Sequence, residues 1–586
     1  MDTHGVCPVV ESRHGYFFYY RLEFHVNVVL YRLVIIVTIF IKSRLFTTGY
    51  AKSKLTLYMI NYLKIGRATE LRPWTLDRLL YRTLEMFPGV LSWGTLFILT
   101  GLSFTHPFFV AVFIIFFDVY WFLKTVYLSL HLRLGFRKTL ENMKTDWKKE
   151  LDKLEISKYS LPLKRWDDVW QLVILPMYNE PFEVVRESFD ALLATGYPHE
   201  KMIVVLALEG RAGGAGPVMG DTVRERYGSH FPHLFITTHP GDIPGELKGK
   251  GANQTWAARE VKKQIIDHLS IPYENIVVSV FDIDTRVMPN YFHCLTYHYL
   301  TAEKPLRSSF QPIPLFINNI WEAPAFARVL SFGSTFWQMM QQARPERLIT
   351  FSSHSMAFKP LVEIDFWQTN MVSEDSRIFY QCYLHFDGDW QVVPLYYPVT
   401  MDANVAPTFL GTLVNQYKQQ RRWGYGVENL PYFMFNAFKN KKLAFKEKFS
   451  HVVQLVDGFW SWSTNSIMMF LLGWLPVLVG TESFKVTLLS YNLPYLTRNI
   501  MIIAMFGLVT SAVLSVWLLP PKPVQYGRMK YIWMFLQWWM TPLTSIFLGC
   551  FPALEAQTRL MLGNYMGFWV TPKSRAKTEN LEPRKK

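Results

Sequence analysis

The run Ile276-Val277-Val278-Ser279-Val280-Phe281 is almost continuously apolar and ends abruptly in Asp282-Ile283-Asp284-Thr285. A short apolar run without polar alternation predicts a strand buried on both faces, the environment of a mostly parallel sheet covered by helices. Ligands bind such sheets in the crevice outside the carboxyl ends of the strands. The two-residue period of extended chain puts Asp282 and Asp284 on one side. Two carboxylates so placed suit Mg2+ or Mn2+ held between protein and a diphosphate. Asp-x-Asp alone is also a common surface turn, so its meaning rests on the rest of the chain.

Half of the 586 residues are hydrophobic and 16% are aromatic, high shares for a chain without membrane segments. Lys and Arg exceed Asp and Glu by 15. The excess gathers beside hydrophobic stretches, the mark of cytoplasmic flanks and contact with membrane lipid rather than nucleic acid. No base-reading motif is present. Cys7, Cys294, Cys382 and Cys550 lack CxxC spacing, which argues against a disulfide framework or thiolate zinc site and fits a reducing cytosol. The first residues do not have the order of a cleavable signal.

Residues 1–87 form an N-terminal region in which Val28–Ile41 is short for a span and contains Arg32; spanning, interfacial and domain-packed placements are all open. Pro88–Phe104 and Pro107–Leu123, joined by Thr105-His106, predict a transmembrane hairpin over 88–131. The basic linker 132–164 follows. Seven Lys/Arg and four Asp/Glu lie between Arg133 and Lys153, and neither Lys nor Arg lies in the Thr105-His106 turn, so charge bias puts the next domain in the cytosol. Asp118, inside the second arm, marks either a polar pathway or an interfacial pair with Lys124.

Residues 165–425 alternate strand and helix patterns: Val169–Leu175, a helix from Phe182, Lys201–Leu208, Leu234–Thr238, a helix after Lys248–Asn253, then the strand ending in Asp282. No GxxxxGK[ST] loop and no GxGxxG after a strand is present, which argues against a P-loop ATPase or a dinucleotide enzyme. Over 426–450, aromatics alternate with Lys439, Lys441, Lys442, Lys446 and Lys448, the pattern of an amphipathic helix on an anionic surface. In the C-terminal membrane region 451–551, Val452–Val479 and Ile500–Leu519 are long enough to span, while Tyr531–Phe551 either spans or re-enters near Pro542. Residues 552–586 hold an interface helix, the segment Phe568-Trp569-Val570-Thr571-Pro572-Lys573 and a basic tail.

Four signals accompany the Asp pair: Asn179-Glu180 after the first strand, Ser373-Glu374-Asp375, Gln419-Gln420-Arg421-Arg422-Trp423, and Phe568–Lys573. With these in order, the chain resembles a membrane-embedded family-2 glycosyltransferase of the cellulose synthase-like group over roughly residues 88 to 573. That family's signature runs D, DxD, [T/S]ED, QxxRW, and a processive subset adds FxVTxK in a mobile loop over the nucleotide. Gln419, Arg422 and Trp423 match QxxRW; Glu374 and Asp375 match the ED; Phe568, Val570, Thr571 and Lys573 match FxVTxK.

The resemblance implies an α/β GT-A fold, a Rossmann-like nucleotide-sugar-binding domain on the cytosolic side of the cell membrane, inserted between transmembrane helical segments of a multi-pass protein. It implies inverting transfer from a nucleotide diphospho-sugar, UDP-sugar favoured, to a growing β-linked glycan. The alternative is a non-processive transferase that adds one sugar to a lipid acceptor such as a polyprenyl phosphate or a ceramide-like lipid. FxVTPK and QxxRW favour the first, the modest span count the second. A transporter that merely binds nucleotide would line several long spans with polar residues, and few are present.

Inverting transfer needs a neutralised leaving diphosphate, a base for the acceptor hydroxyl and a platform that aligns it. By resemblance Asp284, with Asp282, holds Mg2+ or Mn2+; Asp375, beside Glu374, is the base; Asn179, Glu180, Glu209, Asp282, Gln419, Arg422, Thr571 and Lys573 serve the donor; and Trp423 stacks on the acceptor sugar. Lys248 is either a phosphate contact or a solvated lysine at a helix start, and Asp375 would equally suit a helix cap. His354 is either a sugar contact or a structural histidine. Glu209 stands where the family has an aspartate at the nucleoside, which leaves the nucleotide's identity open.

Overall fold

The apolar runs form strands β1 (Trp170–Met177), β2 (Met202–Glu209), β3 (His233–His239) and β4 (Ile276–Val280). Further along the chain come β5 (Arg286–Val287), β6 (Ser308–Leu315), β7 (Ser355–Ala357) and β8 (Gln391–Thr400). All eight join one sheet in the order β3-β2-β1-β4-β7-β6-β8-β5. The first four neighbours run parallel, β7 is antiparallel to both β4 and β6, and β6 pairs parallel with β8. The result is a mixed α/β sheet. Every residue of β2 and β4 is buried, as unalternating apolar runs require. The computed structural model describes residues 61–572, and the described chain from Tyr62 on belongs to one compact unit. Val28–Ile41, Lys573 and the basic tail lie outside the described residues.

Helices α1 (Leu76–Thr105) and α2 (Pro107–Lys144) meet at His106, so the expected hairpin is present with longer arms. At 1.5 Å per residue they extend roughly 45 and 57 Å, more than the hydrocarbon core of a bilayer. Both are long and apolar enough to cross a membrane. The end of α2 also takes up much of the basic linker, because nothing breaks the helix before Thr145.

The parallel half of the sheet is connected by α3 (Phe182–Leu193), α4 (Ala215–Tyr227) and α5 (Lys250–Val261), with α6 (Tyr291–Thr301) after β5. Helix α7 (Ala325–Gln342) leaves the sheet to pack on α2. A Cβ on Gly135 would lie 2.4 Å from the Met339 carbonyl oxygen, so that crossing needs glycine. Next come α8 (Glu374–His385), α9 (Phe409–Gly424) and α10 (Asn429–Lys439). Of the aromatics of α10, expected on a membrane surface, Tyr432, Phe433 and Phe435 are inaccessible and Phe438 is exposed, and α10 packs against α1, α8 and the following helix.

That helix, α11 (Phe445–Phe470), is followed after a 47° bend by Leu472–Val479. Helix α12 (Leu488–Trp517) packs along α2. The ambiguous stretch after it is interrupted rather than straight. It passes from Met529–Leu536 through a 3-10 turn at Gln537–Met540, a short helix holding Pro542 and a π segment at Ser545–Cys550, into α13 (Phe551–Leu562). Pro542 supplies no N–H to the preceding turn, which accounts for one interruption. Tertiary packing supplies the other: Arg328 on α7 donates to Gln537 Oε1 at 2.6 Å, and Trp538 stacks on Phe336.

Candidate active site

Past Val280 the chain leaves the sheet, and Asp282–Thr285 forms a turn closed by the Thr285 N–H on the Asp282 carbonyl. The expected two-residue alternation therefore does not govern the Asp pair, and the two carboxylates take different partners. Asp282 Oδ1 lies 2.6 Å from the Lys250 ammonium, and its Oδ2 accepts from Ser352 Oγ at 2.8 Å. Asp284 is buried and accepts the Asp402 backbone N–H at 3.0 Å.

Lys250, at the first position of α5, is a residue that the sequence does not single out. Lys248, which the sequence leaves as either a phosphate contact or a solvated lysine, is exposed. Burial alone would depress the Lys250 ammonium, but Asp282, Glu374 and Asp375 outweigh it and hold the group above the ordinary lysine value. Glu374 and Asp375 form the first turn of α8, where the helix N-terminus favours negative charge. Burial nevertheless raises both, the neighbouring Asp375 adding to the effect on Glu374, with Lys250 and Arg422 opposing. Glu374 is closed off: a Cβ on Gly251 of α5 would lie 3.1 Å from its Cβ. Asp375 is the more open of the two.

A buried brace fixes this turn. Glu428 accepts the backbone N–H groups of Val372 and Ser373, each at 3.0 Å. Arg377 on α8, fully buried, donates to Asn429 Oδ1, Gln368 Oε1 and the Glu428 carbonyl, and its guanidinium lies 3.7 Å from the Tyr432 ring centre. The carboxylate turn and the chain just after Arg421-Arg422-Trp423 are thus one rigid piece.

Helix α9 carries Gln419, Arg422 and Trp423. Gln419 Oε1 accepts from Asn404 at 3.3 Å, and Trp423 faces Phe316 with ring centres 6.2 Å apart. Phe316, Asp402, Asn404, Gln416, Gln419 and Trp423 line a small cavity. Asp402 thereby joins the wall of this cavity to Asp284. The Arg422 Nε is buried with no hydrogen-bond partner among the described residues, as is Thr571 Oγ1.

The C-terminal strap crosses this site. Phe568 lies 5.0 Å from the Arg422 guanidinium and packs on Gly249, where a Cβ would lie 2.6 Å from its Cγ. Trp569 lies under Lys418. The strap's root is held elsewhere: Tyr565 donates to Glu85 on α1 at 2.7 Å, and Arg67 stacks on the Tyr565 ring.

At the other end of the crevice, Glu209 closes β2. It is buried, accepts from Arg211 at 2.8 Å and lies 3.2 Å from His239 Nδ1. Burial would raise its carboxyl, yet these donors bring it below the ordinary value. Arg211 lies over the Tyr178 ring at 5.3 Å. Glu180 turns back to accept the N–H groups of Tyr178 and Asn179, and the Asn179 side chain is exposed at the rim.

His354 belongs to the protein rather than to the crevice. Its Nδ1 donates to the Phe351 carbonyl at 3.0 Å, and its Nε2 accepts from Trp367. Burial and the nearby Lys250 push it down to about 4, so the ring is neutral and both nitrogens are engaged. The structural alternative is the one this geometry matches.

No group of three or more His, Cys, Asp or Glu side chains among the described residues forms a metal cage. A hard divalent cation shared with substrate phosphates needs only one or two protein carboxylates and takes its other ligands from phosphate and water. Asp282 already faces a cation in Lys250.

No protein-family model matches the chain, and no curated protein does. Among solved structures, similarity is found to the mannosyltransferase PcManGT from Pyrobaculum calidifontis in complex with GDP-Man and Mn2+, at 13% identity and TM-score 0.36, covering 67% of this chain and 99% of that one. S. aureus TarS 1-349 gives 11% identity and TM-score 0.33, covering 60% and 91%. Its complex with UDP-GlcNAc gives 11% and 0.32, covering 67% and 92%. Likeness at this level carries no inference about function.

Proposed function

We propose that the chain is an inverting glycosyltransferase, GT-A in architecture, that moves a sugar from a nucleotide diphospho-sugar, UDP-sugar favoured, to a β-linked glycan at the membrane. The observation that carries this reading is the gathering of Lys250, Asp282, Glu374, Asp375 and Arg422 into one electrostatic cluster at the carboxyl ends of parallel strands. Two kinds of charge meet there, as the reaction requires: fixed cations for a leaving diphosphate and a carboxylate for an incoming hydroxyl.

Asp282 and Asp284 would hold a divalent cation, which neutralises the diphosphate as it leaves. Lys250 and Arg422 supply fixed positive charge beside it, and the buried Arg422 Nε and Thr571 Oγ1 are donors in want of an acceptor. Asp375 takes the proton of the acceptor hydroxyl, its raised carboxyl bringing its basicity closer to neutral pH. Glu374, enclosed behind it, keeps the pair from ionising independently. Trp423 offers a flat face at the mouth of the cavity, with Asp402, Asn404 and Gln416 to hold sugar hydroxyls. The strap from Phe568 to Thr571 covers the donor. The basic residues at the end of α2 and just after it support a cytosolic site on a multi-pass membrane protein.

The test is release of nucleoside diphosphate by the protein in lipid across UDP- and GDP-sugars. One donor turns over, and Asp375→Asn lowers the rate by about 10²- to 10⁴-fold while nucleotide still binds. Turnover undiminished in Asp375→Asn refutes the assignment of the base. A polymeric product supports chain extension, and a single-sugar lipid product the single-transfer alternative.

A further inference from the structure

His239 is the last residue of β3, side by side with Glu209 at the end of β2. The ring is buried, and both of its nitrogens face carboxylates: Nδ1 lies 3.2 Å from Glu209 Oε1, and Nε2 lies 2.9 Å from Glu246 Oε2. An ionised carboxylate only accepts hydrogen bonds, and a neutral imidazole donates from one nitrogen alone. Both contacts are satisfied together only by the imidazolium. The charged groups facing the ring are Glu209, with Arg211 on its far oxygen, and Glu246 from the loop that follows; α5 presents the edge of Trp256 at 6.0 Å. These surroundings raise the histidine above its ordinary value despite burial.

Glu246 belongs to the loop Pro240–Leu247, which runs directly into Lys248-Gly249-Lys250. Apart from the imidazolium, that loop is tied back by the Leu247 N–H on the Thr369 carbonyl. The imidazolium therefore links the nucleoside end of the crevice, at Glu209, to the loop that delivers the phosphate-side lysine.

We propose that His239 is a positioning residue for the donor nucleotide: as an imidazolium it clamps Glu246 to Glu209, sets the loop leading to Lys250, and makes donor binding weaken as pH rises. This rests on the reading of the crevice as a nucleotide site.

The sign follows from linkage. A histidine whose folded value is raised contributes fully below its unfolded value of about 6.5 and loses that contribution as pH rises through the folded value. The experiment measures the dissociation constants of UDP and GDP, with CDP and ADP as controls, from pH 6 to 9 for the full-length protein, Glu246→Gln and His239→Gln. The unmodified protein is expected to bind at least one of these nucleotides and to lose about tenfold or more in affinity toward high pH, the scale of one charge-assisted hydrogen bond. Both variants are expected to flatten that profile at the weak end. Binding with the same pH profile in parent and Glu246→Gln overturns the clamp while leaving the transferase reading intact. Absence of binding by all four nucleotides in the parent overturns the transferase reading itself.

Discussion

Replacing Gly249 by alanine tests the strap directly. The backbone there is extended, with φ 166°, so alanine adds no backbone strain and its whole effect is steric. The new Cβ would fall 2.6 Å from Cγ and 2.7 Å from Cβ of Phe568. Those atoms lie near the root of the side chain and cannot swing aside, so the strap must lift. Lifting it loses the burial of a half-exposed phenylalanine, about 1 kcal/mol, and its contact with Arg422, about 1 kcal/mol. The sum, about 2 kcal/mol, corresponds to roughly thirtyfold in the docked population. Donor KM is expected to rise by up to that factor with the fold unchanged. The assay is a double-mutant cycle with Phe568→Gly, which removes the colliding atoms. Gly249→Ala should do little in that background. An equal loss of affinity with and without Phe568 would refute the collision, and no loss in either would refute a role for the docked strap.

Lys250→Met removes the ammonium that faces Asp282 in a largely closed site. Because Asp282 is about a third open to water, the expected loss is about 1–3 kcal/mol, read as a lower thermal midpoint, and donor binding weakens with it. His293, His298 and His354 are each depressed to about 4 by burial. Their neutral forms contribute stability above about pH 6.5 that is lost as pH falls through 4, so the thermal midpoint should drop over that interval and His354→Asn should make the drop shallower. Chelation of divalent ions should stop nucleotide release, with recovery on adding Mn2+ or Mg2+; Asp284→Asn should need more metal for the same rate.

The parallel half of the sheet was legible because β1, β2 and β4 are largely apolar runs that give way to Asn179-Glu180, Glu209 and Asp282. The other half was not. β6 holds Pro312 and Pro314, and β8 holds Pro394 and Pro398, residues that remove ladder donors and disguise a strand. The register shift between Gln311 and Ile313 is where the sheet accommodates them. In the candidate site, the acids stand out in the sequence as Asp282-Ile283-Asp284 and Glu374-Asp375. Lys250 could not be separated from Lys248, since the choice depends on where α5 begins. His239 and Glu246 were invisible as a pair, for they meet only when β3 aligns with β2 and the next loop folds back. His354 stays between two readings in the sequence for a similar reason: its partners, Phe351 and Trp367, are supplied by local folding that no motif records.

The strap's root on α1 bears on how this molecule can be divided. Cut at 165 and 425, the chain would keep all of its candidate acids and Lys250, yet lose Phe568 and Thr571, which roof the crevice, and Tyr565 with Glu85, which moor that roof. Glu428, which steadies the acidic turn, would go as well. The isolated sheet would be an open tray with its candidate site unroofed, because the enclosure of that site belongs to the helices and strap on either side.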